Sequence, residues 1–316
     1  MSDINRQNPI IKALQDAMSQ DAFPTIESAQ TCAETFFIEH NRRAVDDFHG
    51  LSPEQMSQIL YAPFDSPALV AFQDKVPLSA CSQTPLVWLF LRLRDAMGDD
   101  GLKPTAKGNL PRAVCRTLAE DYRSTFHEDD DGWYGPVSTE TDFIELHIVH
   151  VLATLAGFVR KYKGRLIISQ KCRKLLKNND GDGLYPALLE CYIRQFNWAY
   201  WDRYPDLPFA QQSFLFTVYL LEKYGKDERP VDFYAKAFLR AFPMLQSQLP
   251  EEGRYTRPPE ETATHLYIHR CLRRFATFTG LATLRFRPNP DKTDYLNRHL
   301  ISILSTPLLH ACWRFS

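Results

Sequence analysis

Apolar residues recur at helical spacing along most of the chain, and this pattern predicts a mainly helical protein. Near the start, residues 10–18 and 24–41 each form an amphipathic pattern. A third helix is expected after Ser52, because Ser52 can cap it, Pro53 suits its first turn and Gln55 completes a capping box. This helix should end before Pro63.

The segment that starts at Pro85 (PLVWLFLRLRDAM) has no polar face wide enough to lie in water. It predicts a buried helix ending at Gly98. Residues 184–243 are rich in aromatic side chains at helical spacing, with breaks at Pro205, Pro208 and Gly225. We interpret this region as a helical hairpin that supplies much of the core.

One supersecondary pattern is clearest at residues 143–177. An apolar helix stops at Gly157, and two short strands follow, separated by a basic turn at Lys163-Gly164. Ser169 then caps another helix. The order of helix, hairpin with a charged tip, and helix resembles a winged-helix unit, which implies a fold and no particular activity.

Two weaker copies of this pattern support the interpretation. Residues 102–108 repeat the strand-like entry into a Thr105 cap followed by Lys107 and a helix. Residues 276–281 match 153–158 in the pattern Ala-Thr-x-x-Gly, so Gly157 and Gly280 are expected to end equivalent helices before a strand. Strands are predicted at 284–287 and 300–303, and Pro307 should begin a last short helix.

These observations predict a mainly α protein with short β-hairpins, in which two or three winged-helix-like units surround an aromatic helical core. The expected divisions are an N-terminal helical region (1–80), two winged-helix-like units (81–178), an aromatic-rich helical region (179–248) and a C-terminal winged-helix-like unit (260–316). Residues 248–261 are the expected linker. Residues 47–64 (DFHGLSPEQMSQILYAPF) resemble a segment of uncharacterised bacterial proteins, and this resemblance implies no activity.

Composition is ordinary for a globular protein, with 44% hydrophobic and 24% charged residues. The 37 Lys+Arg and 38 Asp+Glu nearly cancel, so binding to nucleic acid would require local clustering of charge. The seven cysteines include no CxxC pair, and we interpret them as reduced, mostly buried residues. No signal peptide or membrane-length apolar run is found, which predicts a soluble cytoplasmic protein with no membrane partner.

Charge is concentrated in residues 160–177, which contain eight basic residues and no acidic one. Basic side chains on a wing can bind phosphates by releasing counterions. The other interpretation is a solvated hairpin whose charges prevent edge-to-edge strand pairing. The candidate nucleic-acid-binding residues here are Arg160, Lys161, Lys163, Arg165 and Lys171.

A second candidate strip lies in the C-terminal copy, where Arg270, Arg273, Arg274 and Thr277 would share one face of an α-helix. An ordinary exposed helix face is the alternative. The helix ahead of the basic hairpin carries only His147, His150 and Thr154 on its polar strip, so it lacks the side chains that read bases.

No catalytic motif is found, and no metal or other cofactor is expected. The pairs His265/His269 and His147/His150 lack further zinc ligands. Residues 178–189 place Leu189 where a calcium loop needs a glutamate. We therefore expect a non-enzymatic cytoplasmic protein that binds DNA or RNA backbone through the basic wing. The alternative is a protein–protein interaction or scaffold module with the same fold.

Overall fold

The structure is a computed structural model that describes residues 9–19, 23, 25–126, 135–177, 181–200, 202, 204–249, 258–286 and 300–316. The chain divides into two compact units, Met1–Ala62 and Pro63–Ser316. The description below takes each unit by itself.

The first unit contains α1 (Pro9–Ser19), α2 (Ile26–Arg42), a 3-10 turn at Asp46–Phe48 and α3 (Pro53–Tyr61). The predicted capping box at the start of α3 is present, with reciprocal bonds between Ser52 and Gln55. Met56 and Ile59 are the buried residues of α3. Local capping chemistry and apolar spacing were therefore enough to predict this helix.

The second unit is also mainly helical, and its strands form short antiparallel pairs. Its first half consists of β1 (Val70–Phe72), α4 (Leu78–Cys81), α5 (Pro85–Met97), α6 (Arg112–Phe126), a 3-10 turn at Glu140–Asp142, α7 (Ile144–Leu155), β2 (Val159–Tyr162), β3 (Arg165–Ile168) and α8 (Gln170–Lys177).

Its second half consists of α9 (Leu184–Arg194), α10 (Pro208–Gln212), α11 (Phe214–Tyr224), β4 (Arg229–Pro230), α12 (Val231–Ala241), α13 (Met244–Ser247), α14 (Pro259–Tyr267), a π-helix at Ile268–Thr277, β5 (Ala282–Phe286), β6 (Leu300–Ser305), α15 (Pro307–Cys312) and β7 (Trp313–Phe315).

The hairpin β2–β3 is extended by Leu102, a residue between α5 and α6 that pairs with β3. The backbone N–H of Leu102 donates to the Leu166 carbonyl at 2.9 Å, and the N–H of Leu166 donates to the Leu102 carbonyl at 2.8 Å. Gly101 allows this approach, since a Cβ there would lie 2.5 Å from the Leu166 oxygen. From α5 onward the order of elements is α5, the single paired residue Leu102, α6, α7, β2 and β3. Leu102, the first residue in β pairing, pairs with the last strand, β3.

The same order recurs from α11 to β6. Helix α11 leads to β4, and α12 and then α14 with its π-helix follow before β5 and β6. In this sheet β6 lies between β4 and β5, so the first strand again pairs with the last. The two segments therefore share one connectivity, although α13 is an addition in the second.

The two hairpins are closed by matching hydrogen bonds. The N–H of Ser169 donates to the Phe158 carbonyl, and its hydroxyl donates to the Gly157 carbonyl at 2.7 Å. After the second hairpin, Thr306 makes the same two bonds, to the Leu281 carbonyl and, at 2.6 Å, to the Gly280 carbonyl. The internal repeat is therefore visible at the level of individual hydrogen bonds.

The prediction for the two glycines is confirmed. Gly157 follows α7 with φ 72°, and Gly280 follows the π-helix with φ 83°, and each leads into a strand. The left-handed region costs glycine no steric penalty, which explains why this residue stands at both turns.

Aromatic side chains fill the core of the second unit, as the sequence predicted. Trp198 stacks on Phe275 with ring centroids 4.7 Å apart, and Phe238 stacks on Tyr267 at 4.2 Å. The predicted helical hairpin at 184–243 is instead four helices, α9 to α12, because Pro208, Ser213 and Pro230 interrupt it. Helix α5 is buried on most sides, as expected.

The first of the three predicted copies is wrong in one respect. Thr105 does not cap a helix: it closes a turn with Asn109, and the next helix, α6, begins only at Arg112. Leu102 joins the hairpin β2–β3 and not a hairpin of its own. The predicted linker lies largely outside the described residues, as do residues 287–299 of the long turn between β5 and β6.

Candidate nucleic-acid interface

The basic hairpin turns at two residues in the left-handed region. Strands β2 and β3 pair from Val159 and Ile168 at the base to Tyr162 and Arg165 at the end. The connecting residues Lys163 and Gly164 have φ of 45° and 76°. Positive φ at both central positions is the requirement of the type I′ turn, which matches the twist of a two-stranded hairpin. Lys163 therefore lies at the tip of the hairpin.

An exposed tyrosine lies between two cations near this tip. Tyr162 is 48% exposed. The guanidinium carbon of Arg160 lies 5.2 Å from the Tyr162 ring centroid, and the Lys163 ammonium lies 5.4 Å from it. Cations at this distance are attracted to the face of an aromatic ring. Together with Lys161, which is also exposed, these residues form the hairpin tip: Arg160, Lys161, Tyr162 and Lys163.

The other two predicted residues of this hairpin have partners inside the protein. Arg165 donates from Nε to the Asp100 carbonyl and from Nη2 to the Gly101 carbonyl, both at 2.6 Å. Lys171 donates from Nζ to the Ala156 carbonyl at 2.8 Å, at the end of α7. These bonds fix the hairpin to the preceding loop and helix, although Arg165 and Lys171 are exposed and keep their positive charge.

The remaining charges of the basic run lie on α8. Arg173 pairs with Asp99 at 2.7 Å between Nη1 and Oδ1, whereas Lys174 and Lys177 are exposed. Asp99 is itself highly exposed, so this pair stabilises little in water. The basic field of the run therefore comes from the hairpin tip, from these two lysines, and from Arg165 and Lys171, whose carbonyl partners are neutral.

The predicted arginine strip is wrong for Arg270, whose side chain is only 1% exposed. Its Nε donates to Asp202 Oδ2 at 2.5 Å, and its Nη2 donates to Asp202 Oδ1 at 3.1 Å and to the Pro205 carbonyl at 2.8 Å. Residues 268–277 form a π-helix, so spacing derived from an α-helix does not describe which side chains share a face.

The neighbours of Arg270 differ from it. Arg274 donates from Nη1 to the Tyr200 carbonyl at 2.8 Å and is half-buried. Arg273 is half-buried as well and forms no ion pair among the described residues. His269 is half-buried, and desolvation of its ring together with the charges of the three arginines holds its pKa well below the usual range.

Glu140 is a buried carboxylate that the sequence did not single out. Its Oε1 accepts from the Nδ1 atoms of His147 and His150 at 2.8 and 2.9 Å, and its Oε2 accepts from the Leu110 N–H at 2.5 Å. Burial alone would raise the Glu140 pKa. The two histidine hydrogen bonds, the charge of His150 and the Leu110 N–H outweigh burial, and the pKa falls to about 2.

These contacts explain the polar strip of α7. His147 also stacks on Tyr200, with ring centroids 5.5 Å apart. The two histidines thus have structural partners, as the sequence interpretation preferred. His265 pairs with Glu261 at 3.5 Å. Within the described ranges, no group of three or more His, Cys, Asp or Glu could hold a metal ion.

All seven cysteines are free, and six are buried, as expected; only Cys32 is half-exposed. Burial raises the pKa of the thiols of Cys81, Cys115, Cys271 and Cys312 to about 12. These thiols are therefore poor nucleophiles at neutral pH. Residues 178–180 of the calcium-like loop and the acidic run 128–131 lie outside the described residues.

A family model described as the Y4jL N-terminal domain matches residues 83–181. This range covers α5 to α8 and therefore includes the whole basic hairpin. No curated protein and no solved structure matches the chain. Among the described residues, no helix has both the length and the apolar character needed to cross a membrane.

The sequence held only weak signals for the two buried carboxylates. Glu140 lies in a polar stretch (STETD) that reads as an ordinary loop, and its partners are seven and ten residues away. Asp202 lies among aromatic residues 68 positions from Arg270. Pairings at such separations depend on tertiary structure, and spacing along the chain does not encode them.

Proposed function

We propose that residues 85–168 and 214–305 form two winged-helix units. We further propose that the protein is non-enzymatic and binds nucleic-acid backbone through the tip of its first wing. The shared connectivity supports the fold assignment, since each segment has three helices, a short strand that pairs with the last strand, and a terminal hairpin. In this assignment β2–β3 and β5–β6 are the wings.

The observation that carries the function is the chemistry of the first wing's tip. Arg160 and Lys161 lie in β2 beside a two-residue turn that carries Lys163, and the side chains of Arg160 and Lys163 lie over the ring of the exposed Tyr162. Cations of this kind attract phosphates by releasing counterions. An aromatic ring between them offers a surface on which an unpaired base can stack.

The helix ahead of the wing supports backbone binding without strong sequence preference. His147 and His150 are occupied by Glu140, and Leu146, Ile148, Val149 and Leu152 are buried. None of these side chains is free to make the bidentate contacts that distinguish bases. The affinity should therefore come from charge and stacking.

The test is a titration of duplex DNA, single-stranded DNA and RNA with the full chain at several salt concentrations. The logarithm of the binding constant should fall linearly with the logarithm of salt, by about 0.9 per duplex phosphate neutralised. The variant Lys161→Ala/Lys163→Asn should flatten this slope by up to about two units. Asparagine is chosen at 163 because it tolerates positive φ.

The matched control is Lys226→Ala/Lys236→Ala, which removes two exposed lysines from the second winged-helix unit. Its slope should equal that of the unmodified protein. Absence of binding to all three nucleic acids at about 50 mM salt would reject the proposal. An equal loss in the control variant would also reject it. In either case the protein-interaction module becomes the better hypothesis.

A further inference from the structure

A cavity of about 570 Å³ lies between α6, α7, the π-helix and the second hairpin. All of these elements belong to the unit Pro63–Ser316. Its walls are mainly apolar, and small-molecule sites in proteins are typically of this size and character. The side chains that give it this character include Tyr122, Ile144, Ile148, Phe278, Leu284 and Leu308.

The walls are held in place by contacts between distant parts of the chain. The Leu86 N–H, in the first turn of α5, donates to the Phe278 carbonyl at 3.0 Å. Gly280 lies so close to Thr84 that a Cβ on the glycine would be 2.2 Å from the Thr84 methyl group. Since these contacts involve backbone and buried side chains, the cavity is preformed and does not require a ligand to open it.

Charge at the cavity is unbalanced. Two arginines, Arg273 and Arg274, line it, and Glu145 is the one acidic residue among the lining residues that the structure describes. Arg274 is already held by the Tyr200 carbonyl. Arg273 makes neither an ion pair nor a side-chain hydrogen bond within the described part of the chain. With respect to these described residues, the Arg273 guanidinium can bind an anion beside the apolar cavity.

We propose that this cavity binds an amphipathic carboxylate, a small molecule with one carboxyl group on an apolar chain or ring. The apolar body would lie against Ile148, Phe278 and Leu284. The carboxylate would accept two parallel N–H bonds from Arg273, since a planar guanidinium matches a carboxylate in geometry and charge. A neutral or cationic ligand with the same body would leave Arg273 desolvated without a partner.

The probe series is decanoate, decanol and decylammonium, titrated into the full chain by calorimetry below their aggregation concentrations. Decanoate should bind saturably at one site, at least about tenfold more tightly than decanol, and decylammonium should bind least. Arg273→Gln should weaken decanoate binding about tenfold or more and leave decanol binding nearly unchanged. Arg116→Gln removes an exposed arginine from α6 outside the cavity and should change neither.

A second variant tests the chamber without touching charge. Ala311→Phe places a ring in the cavity lining and should weaken decanoate and decanol alike. Thermal unfolding of each unliganded variant verifies folding. If Ala311→Phe does not fold, the decanoate and decanol affinities of Arg273→Gln alone test the proposal. Equal affinity for decanoate and decanol, or an unchanged decanoate affinity in Arg273→Gln, overturns the proposal. Absence of saturable decanoate binding overturns it as well.

Discussion

Helix α7 and the helix formed by α14 with its π-helix occupy the same place in two repeated segments. Each binds a buried carboxylate, but through different side chains. Glu140 lies directly before α7, whereas Asp202 lies between α9 and α10, outside the second repeated segment. At α7, Glu140 is held by two histidines. At the π-helix, Asp202 is held by Arg270, whose Nε–Oδ2 distance is 2.5 Å.

The side chains that bind the two carboxylates differ in their chemistry. The Arg270 guanidinium donates to both carboxylate oxygens of Asp202, so this contact is a two-point ion pair. At α7 the hydrogen bonds from the two histidines and the Leu110 N–H outweigh burial and lower the Glu140 pKa to about 2, so this contact is lost only in acid. Equivalent helices of a repeated scaffold can thus bind a buried carboxylate through imidazoles in one segment and through a guanidinium in the other.

The largest expected effect comes from removing one partner of the buried Asp202–Arg270 pair. Asp202→Ala leaves the Arg270 guanidinium buried without its counter-charge, which should lower the free energy of unfolding by about 3–5 kcal/mol. Urea denaturation measures this change. The control Glu190→Ala breaks an exposed pair with Arg194 and should cost about 0.5 kcal/mol or less.

A double variant sharpens this prediction. Asp202→Leu/Arg270→Met replaces both charges by apolar side chains and should recover much of the lost stability, because no buried charge is left unpaired. A loss below about 1 kcal/mol in Asp202→Ala would show that water or another group compensates Arg270, and the contrast with α7 would disappear.

The next effect concerns the titratable cluster. The Glu140 pKa falls from 4.5 to about 2 on folding, so its stabilising contribution is fully present above pH 4.5 and is lost as the pH falls toward 2. By linkage this contribution is on the order of 3 kcal/mol. Glu140→Gln removes the titrating group, so its stability should fall less steeply between pH 4.5 and 2.

Urea denaturation at several pH values checks this expectation. The matched control is Glu145→Gln, which removes a carboxylate of α7 that is not part of the cluster. Its pH dependence should follow that of the unmodified protein. Parallel curves for Glu140→Gln and the unmodified protein would contradict the assignment of the acid transition to this cluster.

The smallest effect compares the two helix-ending glycines. Gly157→Ala forces alanine into the left-handed region in open space, at a cost of about 1–2 kcal/mol. Gly280→Ala carries the same backbone cost and also drives a methyl group against Thr84, so it should be more destabilising by about 1 kcal/mol or more. Thermal and urea unfolding of both variants measure the difference. Equal losses would show that Thr84 moves aside.

Local signals in the sequence were enough for much of the fold. Ser52, Pro53 and Gln55 identify the start of α3, and Gly157 with the Lys163-Gly164 turn identifies the first hairpin. These features depend on neighbours a few residues apart. The strands β1, β4 and β7 were missed because each has two or three residues and exists only through pairing with a distant strand.

Part of the candidate site could likewise be predicted from the local sequence, and part of it depends on distant contacts. Exposure at Lys163 follows from the Lys-Gly turn, whereas Arg160 and Lys161 are both exposed because β2 is buried only at Val159 and its outer part has no covered face. The burial of Arg270 could not be predicted, because an α-helical wheel fails in a π-helix and because Asp202 comes from a distant loop. The copy assigned to residues 102–108 failed since its one strand residue pairs with β3.

The pairing of β1 with β7 has a consequence for biosynthesis. Val70 to Phe72 pair with Phe315 to Trp313, so a ribosome must add roughly 240 residues after β1 before its partner exists, which takes on the order of ten seconds or more. Until then Phe72 lacks the Trp313 ring, which lies 4.7 Å away in the finished protein. Nascent chains of this protein therefore carry an open strand edge beside exposed aromatic surface, and chaperones that bind such segments should protect them during translation.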